Sequence, residues 1–145
     1  MPYEIFYEKN PRLKDVNKLS QGLAEYADIM KGHMPIQSFT FFIRNNKYKI
    51  KGKIKGGCHG CLYYGCLYVD ELWVDKELRY QGYGTQLMQT AENWAKEQGC
   101  LFATVNTMDW EALDFYKKLG YVVEFERHGY LKDSIFYFLR KNFGA

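Results

Sequence analysis

The chain has little excess of charge of either sign. Its 145 residues carry 20 Lys and Arg against 17 Asp and Glu, a formal net charge of +3. A surface built to hold a polyanion needs a larger imbalance, so nucleic acid is not the expected partner. There is no apolar run near the roughly 20 residues of a membrane span, and Met1–Asn10 has no apolar leader core. We therefore expect a cytoplasmic protein with no membrane partner. Prolines number only 3, no Ser/Pro-rich stretch divides the chain, and no repeat recurs. One domain over residues 1–145 is expected, long enough to bury a core. The 4 cysteines, without an export leader, read as reduced thiols. Aromatic residues are abundant instead, with 13 Tyr, 10 Phe and 3 Trp. They favour strands and aromatic-walled pockets but name no chemistry.

Hydrophobic periodicity orders the elements. Glu4–Tyr7 reads as a short strand. Asn10-Pro11 reads as an N-cap followed by proline in the first helical turn, opening a helix that carries Leu13, Val16, Leu19 and Leu23 and stops at Gly32. Phe39–Ile43 is a strand closed by Asn45-Asn46. Lysines at every second position from Lys47 to Lys55 read as a half-buried strand with one solvated lysine face, interrupted at Gly52. Leu62–Val74 is the longest strand-like run. The period then changes: Leu87, Met88, Ala91, Trp94 and Ala95 form one helical stripe between Gly82 and Gln98, with Gly99 ending it. Cys100–Val105 reads as a buried strand. Ala112, Phe115, Tyr116 and Leu119 form a second stripe, capped by Asp109 and ended by Gly120. Val122–Glu126 and Ser134–Arg140 alternate as strands. This order predicts an α/β fold with a mixed sheet.

One stretch suggests chemistry. After Leu72-Trp73-Val74 the chain runs Asp75-Lys76-Glu77-Leu78-Arg79-Tyr80-Gln81-Gly82-Tyr83-Gly84-Thr85, a strand leading through two glycines straight into a helix. Unsatisfied N–H groups at a helix start, with the positive end of its dipole, hold a pyrophosphate-like anion. Glycine lets that anion approach the backbone closely. The dinucleotide fingerprint is excluded because Leu87 stands where its third glycine belongs. The P-loop is excluded because no lysine follows Gly84.

Leu72-x-Val74, then Arg79-Tyr80-Gln81-Gly82-Tyr83-Gly84, then Asn106, then Ala112-x-x-Phe115-Tyr116-x-x-Leu119-Gly120-Tyr121, together resemble the GNAT family of N-acetyltransferases. The likeness covers about residues 56–128. Lys76, Tyr80 and Asp109 depart from the commonest pattern, which has Pro, Gly and Asn there. The resemblance implies a mostly antiparallel central sheet flanked by helices, the GNAT-like acyl-CoA N-acyltransferase fold. It implies acetyl transfer from acetyl-CoA to a primary amine by direct attack in a ternary complex. The cosubstrate would lie on Leu72, Trp73, Val74, Arg79, Tyr80, Gln81, Gly82, Tyr83, Gly84, Thr85, Asn106, Phe115 and Tyr116. Tyr116 matches the family's acid, which would protonate the departing thiolate. The base would be Asp70 or Glu71, or ordered water. Adjacent strand residues point to opposite faces, so a β-bulge decides which carboxylate meets the cleft. The acceptor, a small-molecule or peptide amine, is not legible; Gly22–Thr40 and His128–Asp133 should wall its cleft. A monomer or homodimer is expected.

Other readings compete. Cys58-His59-Gly60-Cys61 with Cys66 invites a zinc site, but the spacing suits no ribbon and no second Cys-x-x-Cys pair exists. We expect no metal. Cys100 reads as core, and His33 and His128 as loop residues. Trp73, Trp94 and Trp110 with the lysine face could make a non-catalytic nucleic-acid-binding module, but Trp94 falls on the core stripe. A non-catalytic CoA-binding module is the remaining alternative.

Overall fold

The computed structural model describes residues 2–32, 36–45 and 52–144. The chain forms two compact units, Met1–Pro35 and Ile36–Ala145. In the first, α1 spans Leu13–Lys31 and stops where Gly32 takes φ +77°. Its N-cap is Arg12 rather than Asn10, in extended backbone and without a side-chain cap. Arg12 instead donates Nε–H to Asp15 in the first turn at 3.2 Å. Glu4–Tyr7 is not a strand; the described residues of this unit hold no second strand for it to pair with.

Among the described residues, the second unit is a six-stranded sheet with two α-helices. Its strands are β1 (Gln37–Arg44), β2 (Ile54–Tyr63), β3 (Cys66–Val74), β4 (Phe102–Met108), β5 (Val122–Arg127) and β6 (Phe136–Asn142); α2 (Tyr83–Glu97) and α3 (Leu113–Lys118) flank the fourth. The spatial order is β1-β2-β3-β4-β6-β5. Only β3 and β4 run parallel; the other neighbours are antiparallel. This is the expected mixed, mostly antiparallel α/β fold. The core sits where the stripe Leu87, Met88, Ala91 and Ala95 of α2 meets Leu67 and Val69 of β3, Ala103 and Val105 of β4, and Leu139 of β6. Trp94 packs its ring against Phe39 and Phe41 of β1 at centroid distances of 5.4 and 5.8 Å. It therefore serves the core and is not available to stack on a base.

Three local expectations are corrected. The run Leu62–Val74 is two strands, because Tyr64 and Gly65 both take positive φ (48° and 81°) and make a two-residue hairpin turn. Asp109 does not cap α3. It accepts from Ile135 N–H at 3.1 Å, while the Thr107 hydroxyl accepts from Ala112 N–H at 3.1 Å. Lys55 is not simply a solvated lysine: its ammonium lies 2.9 Å from Glu77 and 3.7 Å from Asp75. The expected strand over Lys47–Lys51, Asn46 of the turn, and His33 lie outside the described residues. Gly22–Thr40 passes from one unit to the other through residues 33–35, also outside them.

Candidate active site

Strands β3 and β4 pair from Cys66 opposite Phe102 to Val69 opposite Val105, and there the pairing ends. Both continue, β3 to Val74 and β4 to Met108, so a cleft opens between their ends. A β-bulge marks the same place. His59 of β2 pairs with Glu71, but Gly60 pairs with Val69, leaving Asp70 as the extra residue. Gly60 makes the bulge possible, because a Cβ there would run into the Tyr68 carbonyl. The bulge advances the alternation by one residue, so Leu67 and Val69 face the core together with Leu72 and Val74, while Asp70 and Glu71 are both exposed.

A cavity of about 960 Å³ occupies the parting. One wall is β3 and the glycine turn: Leu72, Trp73, Val74, Arg79, Tyr80, Gly82, Tyr83, Gly84 and Thr85. The other is the segment from Asp109 to Phe115. Gly82 takes φ +88° and starts α2 with no side-chain cap. The first backbone hydrogen bond of the helix is from Gln86 N–H to the Gly82 carbonyl, at 3.0 Å. The amides of Tyr83, Gly84 and Thr85 therefore have no helical acceptor and carry the positive end of the dipole to the cavity. Gly84 keeps the wall thin, since a Cβ there would stand 3.3 Å from the Phe115 ring.

The turn is braced from below. Asp75 accepts from Glu77 N–H at 3.0 Å, a bond that holds its carboxyl below the usual range, and its own N–H donates to the Lys55 carbonyl at 2.8 Å. The ammonium of Lys55 is raised above its ordinary value by its hydrogen bond to Glu77. Arg79 donates Nε–H to the Val74 carbonyl at 3.1 Å, and Gln81 donates Nε2–H to the Glu77 carbonyl at 3.0 Å. Tyr80 stands at φ +62° with its side chain fully in solvent.

Of the residues expected to hold a cosubstrate, Gln81, Asn106 and Tyr116 do not line the cavity. Gln81 turns back to its own loop. Asn106 donates Nδ2–H to the Tyr68 hydroxyl at 3.4 Å. Tyr116 is buried behind Phe115, its ring against Phe115 and Tyr121. No hydrogen bond from its hydroxyl is found among the described residues, and burial pushes its pKa up to about 12, with the charges of Cys58 and Glu111 adding to the shift. Such a phenol stays protonated at neutral pH and keeps its proton to give.

The bulge gathers a second group. His59 Nε2 lies 2.7 Å from Glu71 Oε1 and 3.7 Å from Asp70 Oδ2. Tyr68 donates its hydroxyl to Asp70 at 3.3 Å, so a chain of contacts runs from Asn106 to Glu71. Sequence reasoning missed both His59 and Tyr68 here, along with the wall from Asp109 to Asp114. The bulge itself was visible in the spacing of Leu67, Val69, Leu72 and Val74, which is 2, 3, 2 where a straight strand has 2, 2, 2.

The cysteines do not assemble a metal centre with His59. Cys58 lies opposite Phe41 and Leu72 and is buried with the core, whereas its neighbour His59 takes the other face. Burial pushes the Cys58 thiol up to about 11. All four cysteines are free. Among the described residues, the side chains with ligand atoms close enough for one cation are His59, Asp70 and Glu71, within 4.8 Å of one another. No helix among them is long and apolar enough to cross a membrane.

A sheet that parts beside an uncapped helix start offers a cleft with free amides at one end, suited to an extended ligand with an anionic group. The description "Acetyltransferase (GNAT) family" matches residues 6–121, so the chain belongs to that family. A blasticidin-S acetyltransferase from Streptomyces morookaense is 40% identical over 72 residues, which cover 49% of this chain and about half, 53%, of that relative. The crystal structure of a candidate acetyltransferase from Agrobacterium tumefaciens superposes with a TM-score of 0.83 at 24% identity, covering 97% of this chain and 100% of that one. An acetyltransferase from Bacillus cereus ATCC 14579 gives 0.74 at 28% identity, covering 95% and 98%.

Proposed function

We propose that the protein is an N-acetyltransferase that carries an acetyl group from acetyl-CoA to a primary amine by direct attack in a ternary complex. The observation that supports this best is the row of free amides at Tyr83, Gly84 and Thr85, opening on a cavity of about 960 Å³ where β3 and β4 part. These amides would hold the pyrophosphate, and Leu72, Trp73, Val74 and Phe115 would line the pantetheine path. The acetyl carbonyl develops negative charge as the amine adds, so backbone donors at the strand end would stabilise it. Tyr116 would protonate the departing sulfur; its unpartnered hydroxyl suits that role better than it suits a structural one. The ring must then reach past Phe115, its neighbour on the cavity wall. Asp70 and Glu71, brought to one side by the bulge, are the base candidates. On this reading the two compact units are parts of a single domain of residues 1–145, acting in the cytoplasm as a monomer or homodimer.

The name of the Streptomyces relative makes blasticidin S the first acceptor to test. Release of free CoA with thiol detection, across blasticidin S and a panel of primary amines, is the measurement. Acetyl-CoA that neither raises the melting temperature nor gives heat in calorimetry removes the proposal.

A further inference from the structure

On the exposed side of β1, β2 and β3, two register rows lie next to each other. Thr40, His59 and Glu71 make one row; Phe42, Gly57 and Trp73 make the other. Gly57 puts no side chain between the two aromatic rings, each about half exposed. A Cβ at Gly57 would meet the Phe41 carbonyl at 2.6 Å and the Phe42 ring at 3.1 Å, so the slot depends on glycine. The result is a groove of about 270 Å³ with an aromatic half and a polar half, His59 and Glu71 forming the latter. Arg44 covers one side of Phe42 at 4.9 Å. Trp73 also lines the large cavity. Groove and cavity therefore share Trp73 in their linings.

We propose that this groove binds the acceptor, a protonated primary amine carried on a flat ring, and that His59 takes its proton while Glu71 orients the imidazole. The inference rests on the acetyltransferase reading, adds to it the acceptor class, and moves the proton acceptor from Asp70 or Glu71 to His59. The ring would lie over Gly57 between Phe42 and Trp73, where an aromatic wall favours both a flat body and a cation. The ammonium would then sit at the polar end of the groove, beside His59 and Glu71. His59 Nε2 is committed to Glu71 at 2.7 Å, which places its proton there and leaves Nδ1 as the lone pair.

Nδ1 takes one proton from R–NH3+, and the imidazolium so formed is held by Glu71 and returns that proton to solvent. The freed nitrogen lone pair forms the N–C bond to the acetyl carbon. As the C–S bond breaks, its electron pair stays on sulfur, which takes the Tyr116 proton. The second nitrogen proton restores the Tyr116 hydroxyl. Among the described residues, the titratable groups facing the His59 ring are Asp70 and Glu71, both from β3; Thr40 from β1 does not titrate.

The test uses the full chain with acetyl-CoA and tryptamine, phenethylamine and an aliphatic amine, propylamine, as probes. The proposal expects turnover of the two ring amines at kcat/KM at least about tenfold above propylamine. His59→Gln should lower kcat/KM for the ring amine about 10²-fold or more, with KM for acetyl-CoA unchanged. The deficit should shrink as pH rises toward the amine's own pKa, because free amine then needs no protein base; a packing role would not give that convergence. Glu71→Gln should give a smaller loss with the same trend. Ring amines no better than propylamine, or a His59→Gln enzyme within threefold of wild type at neutral pH, would overturn it. So would activity that is lost to a chelator and restored by zinc, which would make His59, Asp70 and Glu71 metal ligands. In these cases acetyl-CoA still stabilises the fold and the acetyltransferase reading stands. Acetyl-CoA that fails to bind removes both.

Discussion

The two ends of α2 solve the same problem in opposite ways. Toward its C-terminal end the helix buries a carboxylate, Glu92, and the protein completes it: Tyr121 donates its hydroxyl at 2.8 Å and Lys141 its ammonium at 2.7 Å. At the N-terminal end the amides of Tyr83, Gly84 and Thr85 have no partner of their own and Gly82 supplies no cap. A finished polar cluster holds elements together; an unfinished one is held by those elements for something else to finish. The fold concentrates its polar completion at one end of a single helix and withholds it at the other.

Substitutions at the two ends should therefore separate activity from stability. Tyr116 stands behind the open end, and Tyr116→Phe should lower kcat by ~10²–10⁴. Because no hydrogen bond from the hydroxyl is found among the described residues, a denaturant melt should move by less than about 1 kcal/mol. Turnover and melt measured side by side decide this; near-normal turnover with chemistry rate-limiting would rule out the acid role. At the closed end, Glu92→Ala should cost about 3 kcal/mol by leaving Lys141 and Tyr121 without their partner. Acetyl-CoA affinity by calorimetry should hardly change. A variant that melts like wild type would show that the buried cluster adds nothing.

Gly82→Asp should erase the acetyl-CoA-induced stabilisation, which at 100-fold excess over Kd is ~2.7 kcal/mol for the wild type. It places a carboxylate where the anion would sit and strains a φ of +88°. A melting shift equal to that of wild type would place the anion elsewhere. The alkaline limb tests the burial of two tyrosines, one behind each end. Tyr116 and Tyr121 are both raised, first by burial, Tyr116 to about 12. A raised pKa favours the folded state fully below the unfolded value near 10 and loses that contribution as pH climbs through the folded value. Stability should fall by on the order of 2 kcal/mol between pH 10 and 12, and Tyr116→Phe should flatten part of that fall. The smallest effect is expected at Tyr80. Its φ of +62° strains a bulky residue, so Tyr80→Gly should gain about 0.5 kcal/mol after the entropy of glycine is subtracted. A loss instead would mean that the exposed ring does something in the free protein.

How far the sequence foretold this follows from which interactions are local. The glycine turn was legible because Gly82, Gly84 and the helix stripe after them are all within one stretch of chain. The two-residue turn was hidden because Tyr64 is not a residue that usually takes φ +48°, leaving an unbroken aromatic run to read as one strand. The Asp109 cap was read from residue type alone. Thr107 does that work because the end of β4 aims its hydroxyl at the Ala112 amide, 3.1 Å away. His59 could not be assigned from its neighbours in sequence. Its meaning comes from pairing with Glu71 across a hairpin whose register slips by one residue at Gly60. The far wall of the cavity, from Asp109 to Asp114, runs from a loop into the first turn of α3, and of these residues only Ala112 belongs to the periodic stripe.

That slipped register has a further meaning when chain length is considered. Remove Asp70 alone, and Leu67, Val69, Leu72 and Val74 would fall at every second position, each still facing the core. The domain's interior has no need of the extra residue. A β3 one residue shorter would be a better strand by every local criterion, regular in its alternation and with one exposed carboxylate in place of two. The bulge falls where the pairing of β3 with β4 ends, so a deletion of Asp70 that leaves the hydrophobic pattern intact is expected to narrow the cleft rather than to disturb the core.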